Sequence, residues 1–145
     1  MSSWSFELTV AADSAEVRRA SDWLDEACRD SDVPQVLVER LVQSLNEVLA
    51  NIITHGGGTA LSAPIGLVLE VELDQGQGKA GVTVSDSGKA FDPLSVPERS
   101  LPKTLEETPL GGLGLVLIRH CSDWLCYRHE GGRNHLTFGA RWDVP

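Results

Sequence analysis

Three short stretches of this chain carry residue types that could do chemistry. In "LNEVLANIITHG", Leu45 to Gly56, Glu47 and Asn51 lie four apart and so point the same way from a helix, one turn above the other. A carboxamide oxygen is a neutral hard ligand suited to magnesium, and the amide N–H can donate to a phosphate. A carboxylate one turn earlier can accept a proton from a hydroxyl attacking a phosphate, or position a water. In "VSDSGKAFDP", Asp86 sits where a strand stops. A carboxylate there can accept a hydrogen bond from an exocyclic amine such as that of adenine, and Gly88 lets a flat base approach the backbone closely. In "GGLGLVLIRH", Gly111 to His120, glycines immediately before a helix leave amide N–H groups free to surround an anion, which the helix dipole favours.

Each stretch also has a plain structural reading: a solvated helix edge, a strand-to-loop turn, a glycine hinge. The last one is not a Rossmann fingerprint, because the third glycine is missing and no strand precedes it. Nor is it a Walker loop, because no Lys-Ser or Lys-Thr follows the glycines.

These stretches need elements to hold them. "SWSFELTVA" alternates apolar and polar residues and predicts a first strand. Asp13 or Ser14 caps a helix running to about Asp30, with Val17, Ala20, Trp23, Leu24 and Ala27 on its inner stripe. Pro34 opens a second helix, which carries Glu47 and Asn51 and stops at Gly56-Gly57-Gly58. "IGLVLEVELD" and "KAGVTVSDS" form two strands joined by the hairpin signal "QGQG". "GKAFDPLSVPERSLPKTLEETPLGG" holds four prolines and no sustained period; an irregular stretch of that length is usually functional or disordered. Helical spacing restarts at "GLGLVLIRHCSDW", and "WLCYRHE" and "NHLTFGARW" close the chain as strands around Gly131-Gly132. The order predicts one domain over 1–145, an α/β two-layer sandwich with a sheet covered on one face by three helices.

Composition narrows the partners. The chain has 145 residues and a formal net charge of -9 with no basic run, which argues against direct nucleic-acid binding, since a phosphate-binding face needs clustered Lys and Arg. The amino-terminal segment lacks the basic and apolar regions of a signal peptide, and no apolar run approaches a membrane span, so a cytoplasmic location is expected. Cys28, Cys121 and Cys126 form no C-x-x-C pair and read as reduced, partly buried thiols. His55, His120, His129 and His135 lack metal-ligand spacing and read as structural or exposed. Trp23, Trp124 and Trp142 read as core or interface anchors.

The order and spacing of the three stretches are more specific than any one of them. Glu-x-x-x-Asn on a helix, then Asp-x-Gly after a strand, then Gly-x-Gly-Leu opening a helix resembles the GHKL (Bergerat-fold) ATPases along nearly the whole chain. Within that superfamily the chain resembles the stand-alone anti-sigma-factor serine kinases of the RsbW and SpoIIAB type, through "LNEVLANIITHG", "DSGKAFDP", "GGLGLVLIRH" and the closing "WLCYRHEGGRNHLTF".

The resemblance implies a mixed sheet with a mobile ATP lid at about 89–111, and ATP and Mg2+ as cofactors. Asn51 would hold the magnesium, and Glu47 would be the catalytic carboxylate that takes the proton of a partner's serine. Asp86 would read the adenine amino group, with Gly88 beneath the base, while Gly112, Leu113, Gly114 and Leu115 would cradle the phosphates. Two departures stand out. Ala90 replaces the usual second glycine of the Asp-x-Gly-x-Gly stretch. Arg133-Asn134 replaces a Gly-Thr often seen before the last strand, leaving Asn134 to donate and accept toward the adenine. The implied partners are a STAS-type anti-anti-sigma protein, which is phosphorylated, and a sigma factor, which is sequestered, with Arg18 and Arg19 as the candidate partner surface. A homodimer is implied as well. The competing reading is an ATP-gated regulatory module without kinase activity. A sensor histidine kinase is disfavoured, since no dimerisation helix pair with a phosphoacceptor histidine precedes the domain.

Overall fold

Alternation along the strands builds one closed interior. The computed structural model describes residues 1–55, 58, 63–89 and 112–145, with the backbone alone for 55 and 112–116. Its strands are β1 (Ser2–Val10), β2 (Ile65–Asp74), β3 (Gln77–Asp86), β4 (Trp124–Glu130) and β5 (Arg133–Asp143). The helices are α1 (Val17–Asp30), α2 (Gln35–His55) and α3 (Gly112–Cys121), with a short 3-10 turn at Ser14–Glu16 before α1. Alternate residues of β2 and β3 are buried, among them Ile65, Leu67, Leu69 and Val71, then Ala80, Val82 and Val84. They meet Phe138 and Ala140 of β5 and, from the helices, Leu24, Leu41, Leu45, Leu49 and Ile118 in one apolar cluster. At ~1.5–3 kcal/mol per fully buried large side chain, this cluster is the main force holding helices to sheet.

Helix boundaries follow local chemistry. Asp13 has an extended backbone and its side chain accepts from the Ala15 N–H at 2.9 Å, the geometry of an N-cap. Pro34 precedes α2, and its carbonyl accepts from the Leu37 and Val38 N–H groups, as a residue entering a first turn should. The Ser21 hydroxyl of α1 donates to Asn46 of α2 at 2.5 Å, so the two helices are stitched by a polar contact as well as packed. The thiol of Cys28 is fully enclosed between them. Burial, with Asp25 adding to it, pushes its pKa up to about 12. Such a thiol stays protonated and inert at neutral pH.

The sheet order is β1-β2-β3-β5-β4, and every pairing is antiparallel. The expected mixed sheet is therefore corrected. Two helices lie between β1 and β2, so the chain returns reversed and the strands pair antiparallel. One helix lies between β3 and β4, which makes those two run the same way, but β5 inserts between them. Both tight hairpins use a pair of left-handed residues, Gln75 (φ 51) with Gly76 (φ 79) and Gly131 (φ 62) with Gly132 (φ 74), the two-residue turn that suits twisted strands. The expected lid and the Gly56-Gly57 stop of α2 lie outside the described residues, apart from Lys89.

The two faces of the sheet differ. The inner face is apolar over most of its length, and there Trp142 lies across Gly78, where an added Cβ would meet the ring at 2.2 Å. The outer face carries Thr83 bonded to Thr137 at 2.8 Å and Ser85 bonded to His135 at 2.8 Å. Trp124 lies on that outer face, flat over Gly139 and Gly81, with the Arg141 guanidinium 4.7 Å from its ring centre. Of the three tryptophans read as anchors, Trp23 and Trp142 pack against the core, whereas Trp124 anchors the opposite face.

Candidate functional site

Asp86 is the last residue of β3 and pairs directly with Asn134 of β5. Both are on the inner face and each is only 7% exposed. A buried carboxylate must be compensated, and this one is compensated on one side. Its Oδ1 accepts from the Gly88 N–H at 2.8 Å and from Asn134 Nδ2 at 3.2 Å. Its Oδ2 makes no hydrogen bond, yet among the described residues Ser122 Oγ alone is a fully enclosed polar side-chain atom without a partner. Among the described residues Asp86 thus has one oxygen bonded twice and one without a partner. An N–H donor on a ligand fits that position.

The surroundings of Asp86 are tightly wired. Asn134 Nδ2 also donates to the carbonyls of Gly88 at 3.3 Å and Lys89 at 3.1 Å. Its Oδ1 accepts from the Tyr127 hydroxyl at 2.5 Å. Both ends of the Asn134 amide, expected to donate and accept toward the adenine, already have protein partners. Arg133 donates to Ser87 Oγ at 2.7 Å, to the Ser85 carbonyl at 2.8 Å and to the Pro64 carbonyl at 3.2 Å. It clamps the end of β3 to the segment entering β2. Neither Tyr127 nor Arg133 was legible as a site residue. Each acts across strand pairings that leave no local pattern.

Glu47 and Asn51 sit on α2 one turn apart, both half-buried. Among the described residues neither side chain has a hydrogen-bond partner. Their polar heads remain available, which fits a cation or phosphate ligand on Asn51 and a proton acceptor in Glu47. Gly112, Leu113, Gly114 and Leu115 form the first turn of α3, so their backbone N–H groups are the orphan donors every helix start leaves. α2 packs against α3 and touches β3 and β5, the elements that carry the other candidates. No cluster of three or more His, Cys, Asp or Glu side chains able to hold a metal occurs among the described residues.

Arg18 and Arg19 lie on the exposed side of α1, paired with Asp22 and Glu16 at 3.2 Å each. Such surface pairs are worth ~0–1 kcal/mol and give way readily to a partner's charges. His120 and His129 are exposed, and His135 is tied to Ser85 and the Glu130 carbonyl. No described helix is long and apolar enough to cross a membrane.

Comparison with known proteins bears on the family and the fold. The family model of the histidine kinase-like ATPase domain matches residues 10–139. The serine/threonine-protein kinase BtrW of Bordetella bronchiseptica is 31% identical over 131 residues, covering 90% of this chain and 88% of that protein. Two solved structures share the fold. The RsbU and RsbW domains of Rv1364c from Mycobacterium tuberculosis align with a TM-score of 0.62 at 17% identity, covering 98% of this chain and 33% of that one. The present chain thus spans about a third of that larger protein. The SiaB-SiaC complex from Pseudomonas aeruginosa aligns with a TM-score of 0.55 at 12% identity, covering 94% of this chain and 89% of the matched one.

Proposed function

This chain belongs to the histidine kinase-like ATPase domain family, and from that premise we propose that it is an ATP-dependent protein-serine kinase and anti-sigma factor of a partner-switching system. The observation that carries the reading is the half-satisfied carboxylate of Asp86, with one oxygen fixed by Gly88 and Asn134 and the other left for a donor. Adenine offers that donor in its 6-amino group. The relative named as a serine/threonine kinase supports phosphoryl transfer.

In this reading Glu47, Asn51, Asp86 and the first turn of α3 converge on one nucleotide cavity. Asp86 orients the base, and the Gly112–Leu115 amides hold the phosphates at the helix start. Asn51 holds the Mg2+, which when bound neutralises phosphate charge. Glu47 takes the proton from the attacking serine hydroxyl of a STAS-type partner. Phosphoryl transfer passes through a loose transition state, so placement and charge matter more than covalent chemistry. Arg18 and Arg19 offer a cationic patch to the STAS partner or the sigma factor, and the active form is a homodimer in the cytoplasm.

The test is to mix the protein with Mg-ATP and its cognate STAS partner and to weigh the partner. A gain of one phosphoryl group is expected. An unmodified mass at saturating ATP, with nucleotide binding intact, would instead favour the ATP-gated module.

A further inference from the structure

We propose that Tyr127 and Asn134 form a positioning pair that sets adenine selectivity by fixing the orientation of Asp86. The inference rests on the adenine reading above and names residues beyond it. Asn134 Nδ2 faces three acceptors: Asp86 Oδ1 at 3.2 Å, the Gly88 carbonyl at 3.3 Å and the Lys89 carbonyl at 3.1 Å. Its Oδ1 faces the Tyr127 hydroxyl at 2.5 Å. A carboxamide is nearly symmetric in shape, so only its partners decide which way it points. Turned over, it would set an oxygen against a carboxylate and two carbonyls, and would bring its NH2 in place of an acceptor to the Tyr127 hydroxyl.

The Tyr127 hydroxyl therefore locks the amide in its donating orientation. The amide in turn locks Asp86 by one oxygen, leaving the other without a partner among the described residues. Tyr127 is half-buried on β4 and diagonal to Asn134 across the β4–β5 pairing, so the lock spans three strands. Neither residue touches the nucleotide. They are positioning residues, and Asp86 is the group that reads.

The experiment compares dissociation constants for ATP and for purine riboside triphosphate, which is ATP without its 6-amino group, in the full chain with Mg2+. The wild type is expected to prefer ATP. Tyr127→Phe removes one hydroxyl and should weaken ATP by ~3–10-fold, the worth of one hydrogen bond, while leaving purine riboside triphosphate unchanged. Asn134→Leu should shrink the preference further, and a thermal melt of each variant reports whether the fold is kept. Equal weakening of both nucleotides would assign the pair a merely structural role and overturn the inference. So would an unchanged preference in both variants. A wild type that binds the two nucleotides equally would overturn the adenine reading itself, a failure distinguishable from the other two.

Discussion

The two ends of the proposed nucleotide site are built in opposite ways. At the Asp86 end, among the described residues, one carboxylate oxygen is tied into the protein through Gly88, Asn134, Tyr127 and the Arg133 clamp, and the other has no partner. At the Glu47 and Asn51 end, the polar heads are bare among the described residues, mounted on a helix whose other side is core. Recognition of a neutral, flat base needs donors and acceptors fixed in place before it arrives, because a misplaced buried group is left unpaired. Handling phosphates and a cation needs ligands with spare capacity, because the charge is brought by the substrate. In the proposed reading, the difference separates selectivity from turnover within a single domain.

That separation can be broken deliberately. The largest effect is expected from Glu47→Gln, which keeps shape and removes the proton acceptor. The phosphorylation rate should fall by ~10²–10⁴-fold, measured by single-turnover transfer to the partner, with ATP affinity unchanged within about twofold. Loss of both together would merge the two ends. Next, Asp86→Asn should weaken ATP binding by ~10–100-fold, as expected when a hydrogen bond to a charged acceptor is lost, read by calorimetric titration. If affinity survived, the base would be held elsewhere.

The smallest effect on the site should come from a change remote from both ends. At Gly139 an added Cβ would meet the Trp124 ring at 2.1 Å, so Gly139→Ala must push the indole off the outer face. Overpacking of this kind costs ~1–3 kcal/mol. The melting temperature should drop by ~3–10 °C while the ATP preference stays put. A changed preference would mean that the outer face communicates with Asp86.

Much of this arrangement is legible in the chain before folding. The three-and-four spacing of Leu45, Val48, Leu49, Ile52 and Ile53 marks α2, and period two marks β2 and β3, because each pattern is an image of one buried face. The Asp86-x-Gly88 turn is legible because Gly88 is close in sequence to the carboxylate it serves. Sheet direction is not. Whether β4 or β5 lies beside β3 depends on a crossover that no local pattern records, hence the mixed sheet expected and the antiparallel one found. The partnership of Asp86 with Asn134 is hidden for the same reason, since 48 positions separate them. Trp124 resembles any other buried tryptophan in sequence; only the gap over Gly139 and Gly81 places it outside the core.

The Gly131-Gly132 hairpin has a consequence for how such a chain can drift over generations. Parity along a strand decides which side of the sheet a residue faces. A single-codon gain or loss within that turn, if absorbed by slippage of β5 against β3, would carry Asn134 to the polar face and bring Arg133 or His135 inward beside the carboxylate. A slip of two would restore the face but set Gly132 or Leu136, in place of Asn134, opposite the carboxylate.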